Sequence, residues 1–257
     1  MLLAIDIGNT NICFGLFEGD HLRHEWRLST DARLTPDDYR ASLRSLAADA
    51  RLDLPAAVAD LVIGSVAPVL TATLTRMSVG WLRREPLVVH SGLDWGMELR
   101  VKEPRRVGVD RLLNAIAARS TLGAPCISLD FGTATKFDVV GPDGAFWGGA
   151  IAPGLMAAAE SLVRNTAQLP RIDIAAPPSP IGDDTASAMQ SGIVLGYVSL
   201  VEGLLARIQA ALPGPRPAPV IATGGLAGVL LPLIRPSLEH DPALTLRGLR
   251  LIHARNP

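Results

Sequence analysis

Short apolar runs alternate along the chain with stretches of helical spacing, a rhythm that predicts an α/β protein. Leu2 to Asp6 reads as a buried strand, Asn9-Thr10 as a turn and Ile12 to Phe17 as the returning strand. Gly19-Asp20 turns the chain into a third strand, His21 to Leu28. Thr35-Pro36-Asp37-Asp38 opens a helix, with Thr35 as N-cap, Pro36 at the first helical position and two acids in the first turn. Leu61 to Ser65 and Leu87 to His90 read as strands on either side of a helix from Pro68 to about Trp81, and Val107 to Ser120 reads as a helix. A second meander follows: Ile127 to Asp130, Thr135 to Val140 and Ala145 to Ile151. Pro153-Gly154 leads into a helix to about Asn165, Arg171 to Gly182 is a stiff proline-rich loop, and Asp183 to Leu212 is a long helix. After a proline-rich connector, Pro213 to Pro219, come a strand (Val220 to Ala222), a short helix (Leu226 to Leu233) and a last helix (Leu244 to Arg255).

One internal echo organises this pattern. Asp6-Ile7-Gly8-Asn9-Thr10 ends the first strand, and Asp130-Phe131-Gly132-Thr133-Ala134 ends a later one, about half the chain away. In both, a strand runs into an Asp-x-Gly-polar turn and a second strand returns. A duplicated fold follows, with related halves at residues 1–118 and 119–257.

Composition narrows the possibilities. Hydrophobic residues make up 48% of the 257, enough for a sizeable core without disulfides or structural metal. The formal net charge is −1, so nothing draws the chain as a whole to nucleic acid or anionic lipid. Cys13 and Cys126 each sit in an apolar run and in no C-x-x-C pair, and read as buried free thiols. The longest charge-free run, Pro217 to Ile234, is broken by prolines and a Gly pair and falls short of the ~20 residues of a spanning helix. The N-terminus has no basic segment and meets Asp6 at once, unlike a signal peptide. These features predict a cytoplasmic protein with no membrane and no nucleic-acid partner.

The two turns carry the candidate chemistry. Backbone N–H groups and small hydroxyls in such a turn suit a phosphate, and the preceding aspartate can hold Mg²⁺ directly or through water. Two such turns facing each other would clamp a polyphosphate. A P-loop is excluded, because the only lysines, Lys102 and Lys136, do not follow Gly; no G-x-G-x-x-G follows the first strand, and no G-x-S-x-G occurs. Thr223-Gly224-Gly225 is either a plain strand–helix turn or a place where a flat base or sugar can approach the backbone. Gly108-Val109-Asp110-Arg111 opens a helix, where an acid suits the helix dipole. An acid beside an Arg also suits a site that accepts a hydroxyl proton and fixes a substrate carboxylate. His21 and His24 have metal-like spacing but lie in a charge-rich hairpin and read as surface residues.

Taken together, Asp6-x-Gly8-Asn9-Thr10-Asn11, Gly108-x-Asp110-Arg111, Asp130-x-Gly132-Thr133-Ala134-Thr135, Gly148-Gly149-x-Ile151-x-Pro153-Gly154, Asp184-Thr185-x-x-Ala188-Met189-Gln190-Ser191-Gly192 and Thr223-Gly224-Gly225 resemble type III pantothenate kinase from end to end. The resemblance implies the fold of acetate and sugar kinases, Hsp70 and actin: two ribonuclease-H-like halves with the nucleotide site between them. It implies ATP-dependent phosphorylation of pantothenate to 4'-phosphopantothenate, the first step of coenzyme A synthesis. Asp6, Gly8, Asn9, Thr10, Asn11 and Cys13 would hold ATP phosphates with Asp6 near Mg²⁺, while Thr133, Gly224 and Gly225 would also bind ATP. Asp110 would be the proton acceptor; Val101, Gly108, Val109, Asp110, Arg111 and Thr185 would line the pantothenate site. Asp130 would hold a monovalent cation, K⁺ or NH₄⁺. The resemblance also implies a homodimer with a shared active site, Thr185 reaching across.

Three positions depart from the family pattern. Val101 stands where many members carry a Tyr, Asp184 where Asn is frequent, and Lys136 where a Thr usually follows Gly-Thr-Ala-Thr. Lys136 either supplies the charge of the monovalent cation at Asp130 or is a solvated residue pairing with Asp138, two residues on and on the same strand face. A second class of function also fits the resemblance, a non-catalytic ATP-binding accessory regulator. A DNA-binding regulator should carry a basic stripe or reading helix, which the charge balance does not offer.

Overall fold

β1 (Leu2–Ile7) is apolar except at Asp6, and Leu3, Ala4, Ile5 and Ile7 are fully buried, as a strand covered on both faces requires. The structure is a computed structural model, which describes residues 1–166, 169–214 and 217–257. β2 (Asn11–Glu18) pairs antiparallel with β1, and β3 (His21–Ser29) continues the meander with exposed positions at every second residue. β4 (Asp60–Ser65) lies parallel to β1 on its other side, and β5 (Leu87–Val88) completes a sheet of order β3-β2-β1-β4-β5. The crossovers carry α1 (Pro36–Asp49), α2 (Leu54–Ala57) and α3 (Pro68–Met77), the last running into a π-helical turn at Ser78–Leu82. Thr35 and Asp38 form the reciprocal cap that the sequence announces: the Thr35 hydroxyl accepts from the Asp38 N–H and the Asp38 carboxylate from the Thr35 N–H. Tyr39, Leu43, Leu70 and Leu74 close the core against Leu3, Ile5 and Phe14.

The second half repeats the plan. β6 (Cys126–Phe131), β7 (Ala134–Val140) and β8 (Phe146–Pro153) form an antiparallel meander, and β9 (Val220–Thr223) and β10 (Glu239–His240) add in parallel on the far side of β6. The order β8-β7-β6-β9-β10 matches that of the first sheet, so the echo of two Asp-x-Gly turns is an echo of two whole sheets. α5 (Leu155–Arg164), α6 (Thr185–Gln190), α7 (Gly196–Ala211) and α8 (Ala227–Leu230) belong to this half. Leu155, Tyr197, Val201 and Leu230 pack with Ile127, Leu129, Phe131 and Phe137.

The long helix predicted from Asp183 to Leu212 runs from Thr185 to Ala211 with a π-helical turn at Ser191–Leu195, so that α6, the turn and α7 are consecutive. By length and composition it could cross a membrane. Its Tyr197, Val198, Val201 and Leu205 instead face the second core. α4 (Val109–Leu122) begins two residues later than the pattern suggests, after a 3₁₀ turn at Pro104–Arg106. Of the proline-rich connector, Pro215 and Arg216 lie outside the described residues.

The packing also redraws the expected halves. One unit comprises Met1–Met97, Lys102–Ala117 and Leu244–Pro257; the other comprises Glu98–Val101 and Ala118–Ala243. The C-terminal helix, α9 (Leu244–Arg255), therefore belongs with the first sheet, burying Leu246, Leu249 and Ile252 there. Glu98–Val101 joins the second unit because it adds to the edge of β8: Phe146 N–H donates to Glu98 O and Arg100 N–H to Phe146 O, each at 2.8 Å.

Candidate active site

Asp6 stands one residue from the end of β1, opposite Cys13 on β2 and beside Gly64 on β4. The turn beyond it is closed by the Gly8 N–H, which donates to Asn11 O at 2.9 Å. Thr30 pins the same turn from β3's end, its hydroxyl donating to Gly8 O at 2.8 Å and its N–H to Thr10 O at 2.9 Å. Asn9 and Thr10 are exposed at the tip, while Asp6, Gly8, Asn11 and Cys13 are half-buried. Burial, and next the charge of Asp6, push the Cys13 thiol up, so Cys13 is a neutral neighbour of the turn and no nucleophile.

Asp110 and Arg111 lie in the first turn of α4, half-buried, and the seven residues after them, Leu112 to Ala118, are all buried. A Cβ at Gly108 would stand 2.6 Å from Asp110 Oδ1. The carboxylate thus occupies the space that any side chain at 108 would need. Leu113, three residues on, packs against Gly64: a Cβ there would be 3.0 Å from Leu113 Cδ1. Because Gly64 and Asp6 are lateral neighbours, Asp110 sits about 4.5 Å along the helix axis from the residue that overlies the Asp6 row. Neither glycine's role follows from periodicity alone, although a glycine inside a strand, as at Gly64, signals close approach.

The second turn is held by glycines. Gly224, at φ +98°, approaches Phe131 so closely that a Cβ would lie 2.5 Å from its carbonyl carbon. Gly154 abuts the turn from the other end of the motif, its missing Cβ 2.3 Å from Thr133 O. Gly225 and Thr133 are exposed beside them. The structure thus gathers Thr133, Gly224 and Asp130 at one end of the β6–β9 pair, whose register sets Asp130 beside Thr223. Tyr197, which sequence reasoning placed only in a helix, bonds the buried Thr135 hydroxyl behind this turn. Burial, and then the charge of Asp130, push its phenol up to about 12.

Lys136 is directly opposite Asp130 in the β6–β7 ladder, and its Nζ lies 2.8 Å from Asp130 Oδ2. Their side chains are 16% and 14% exposed, and Asp138 is fully buried, so Lys136 is not a solvated surface residue. Cross-strand register brings the two together, because residues facing each other across a ladder share a face of the sheet.

Val101 is half-buried, with Cγ1 3.4 Å from where a Cβ of Gly148 would be. Thr185 is the first residue of α6 and exposed, and it lines a recess of about 520 Å³ with Leu162, Leu169, Ala188, Met189 and Ile193. Asp184 caps that helix: its carboxylate accepts from the Ser187 N–H at 2.7 Å, and this bond holds its carboxyl below the usual range. The extra negative charge beside Thr185 is thereby taken up by the helix start.

The family model described as type III pantothenate kinase matches residues 2–207. A type III pantothenate kinase of Moorella thermoacetica is 45% identical over 256 residues, covering 100% of both chains. Among solved structures, a candidate Baf family transcriptional activator from Campylobacter jejuni superposes with a TM-score of 0.60 at 18% identity, over 99% of this chain and 98% of that one. The ROK hexokinase of Thermus thermophilus superposes with a TM-score of 0.51 at 15% identity, over 98% and 97%. The last two show the fold alone, the two-lobed one of actin-like ATPases and sugar kinases. The full-length match to the first relative and the family model's span together establish that this chain belongs to the type III pantothenate kinase family.

Proposed function

We propose that the chain transfers the γ-phosphoryl group of ATP to the primary hydroxyl of pantothenate, the first step of coenzyme A synthesis, in the cytoplasm. The observation that carries the assignment of roles is Asp110, half-buried at the start of an otherwise buried helix, with its carboxylate over the bare Cα of Gly108.

In this reading the hydroxyl oxygen attacks the γ-phosphorus, the β–γ bridging oxygen leaves with ADP, and the hydroxyl proton passes to the Asp110 carboxylate. Phosphoryl transfer has a loose transition state, so Asp110 chiefly orients the hydroxyl and takes its proton late. Arg111, next to it, offers its planar fork to the substrate carboxylate. Gly108 and Val109 supply backbone to the same substrate, and Val101, an apolar side chain, is assigned to it by the family resemblance. The Gly8–Asn11 turn, with Asp6 and Cys13 at its base, takes ATP phosphates through backbone N–H groups and small polar side chains. Thr133 and the Gly224-Gly225 pair receive the rest of the nucleotide, the glycines leaving room for a flat group.

Mg²⁺ fits this donor set. It is bound through one or two carboxylates plus substrate phosphates, not through an all-protein cage, and Asp6 is a half-buried carboxylate at a phosphate turn. When bound with ATP, the ion neutralises charge on the phosphates.

The site is completed in a homodimer, with Thr185 of each chain serving the other's substrate. The support is the uncovered apolar surface around it: Ile181 is 83% exposed, and Met156 and Leu162 of α5 are exposed as well.

An ADP-release assay with Mg·ATP over a panel of hydroxy acids, paired with calorimetric titration of ATP, tests the proposal. Turnover with pantothenate well above every other acceptor is the expected result. ATP binding without turnover on any acceptor would instead favour the accessory-regulator function.

A further inference from the structure

A monovalent cation, which the family resemblance implies at Asp130, does not fit here. One of the two carboxylate oxygens, Oδ2, already lies 2.8 Å from the Lys136 ammonium. A K⁺ on that oxygen would meet a like charge at contact range, in surroundings that screen it poorly. Six-sevenths buried, Asp130 needs one cationic partner, and the facing strand supplies it covalently.

We propose that Lys136 is a built-in counter-ion that makes the second phosphate turn independent of added K⁺ or NH₄⁺. The geometry that supports this is local and over-determined. Asp130 ends β6 immediately before the Phe131-Gly132-Thr133 turn, and Lys136 sits on β7 just after it, so one ion pair staples both ends of the turn. Gly154 and Gly224 pack against the backbone of this turn from outside, at Thr133 O and Phe131, so the ion pair closes a turn already confined by its neighbours. A Lys ammonium is a compact point charge comparable in role to a small monovalent ion, but its stem keeps it in place at any salt concentration. The inference rests on the kinase function for its activity readout only; the cation question itself is one of binding.

The test uses the whole chain in Tris buffer with choline, sodium, potassium or ammonium chloride at matched ionic strength, so that screening is constant. Two quantities are read: the ADP-release rate with Mg·ATP and pantothenate, and the unfolding midpoint without substrates. The unmodified protein should show rates equal within about two-fold in all four salts, and no K⁺- or NH₄⁺-specific rise in midpoint, since a bound ion would stabilise by mass action. Lys136→Thr should acquire both responses, and Lys136→Arg, which keeps the charge, should acquire neither. A rise of about ten-fold in the rate of the unmodified protein on adding KCl, equivalent to about 1.4 kcal/mol, would overturn the proposal. A K⁺-specific rise in its midpoint would do the same. If Lys136→Thr fails to fold, the unmodified protein and Lys136→Arg still decide. If the unmodified protein is inactive in every salt, the kinase function fails, and the midpoints alone decide the cation question.

Discussion

Gly248 crosses Leu113 so closely that a Cβ at 248 would stand 2.3 Å from the Leu113 carbonyl oxygen. α9 and α4 therefore meet backbone to backbone, and Leu113 is held between Gly248 on one side and Gly64 of the first sheet on the other. This contact fixes the helix whose first turn carries Asp110 and Arg111.

Gly248→Ala is accordingly predicted to destabilise the protein, although alanine is the better helix former by about 1 kcal/mol. The methyl group meets a backbone oxygen that cannot swing away, and overpacking of this kind costs about 1–3 kcal/mol. Urea unfolding of the variant should show a lower midpoint with an unchanged slope. A midpoint equal to or above that of the unmodified protein would show that the two helices can part without cost.

Much of this arrangement was legible beforehand. The alternation of strands and helices, the Thr35 cap and the twin Asp-x-Gly turns all express local rules of periodicity and turn chemistry, and they place the strands and both turns. What escaped was set by contacts distant in sequence. α9 joins the first sheet because Gly248 fits Leu113, a pairing that no local pattern encodes. β10, two residues long at Glu239–His240, is a strand only because β9 is beside it. For Lys136 the sequence left Asp130 and Asp138 both open, because alternation along a strand gives a face but not the partner across the ladder, and register supplies Asp130. The Tyr197–Thr135 bond was invisible for the same reason, a lone Tyr in an apolar helix giving no sign of what its hydroxyl meets.

Asp110→Asn should leave ATP affinity within a few-fold and remove most of kcat. Losing a general base typically costs ~10²–10⁴-fold, and the amide, nearly isosteric, keeps the first turn of α4 intact. Titration calorimetry for ATP and the ADP-release rate separate the two effects. A variant with near-normal kcat would remove Asp110 from the reaction.

Stability should fall on the alkaline side through two buried groups of the second unit. Burial pushes the Cys126 thiol up from 9.0 to about 12, opposed only by Arg119, and burial and Asp130 push the Tyr197 phenol from 10.0 to about 12. Both folded-state values are raised. The unfolded chain therefore loses these protons first, and their contribution, complete below the ordinary values, drains away as pH climbs toward about 12. Each group adds a slope of about 1.4 kcal/mol per pH unit within its window. Urea midpoints measured across that range should decline, and Cys126→Ala, though less stable throughout, should decline less steeply. Parallel curves for the two proteins would mean that the thiol titrates alike folded and unfolded.

Homodimerisation with Thr185 acting across the interface makes a prediction that mixing can check. Ile181 stands 83% exposed beside the start of the Thr185–Ala211 helix, and Leu200 on that helix is exposed as well. An uncovered apolar surface of that kind marks an association site, and under the proposed shared site its position at Thr185 would couple association to the substrate. Sedimentation at micromolar concentration should therefore give a dimer. Asp110→Asn and Thr185→Trp should each be nearly inactive alone, the first for lack of a base and the second because the indole takes the space beside Thr185 that the substrate would need. In a mixed dimer with a shared site, both lesions fall in one active site and the other is intact. Combining the two variants under conditions that allow exchange should thus restore activity that neither shows alone. If each site were built from a single chain, every site in the mixture would carry one lesion and no activity would return. A fully active monomer would likewise rule out the trans role of Thr185.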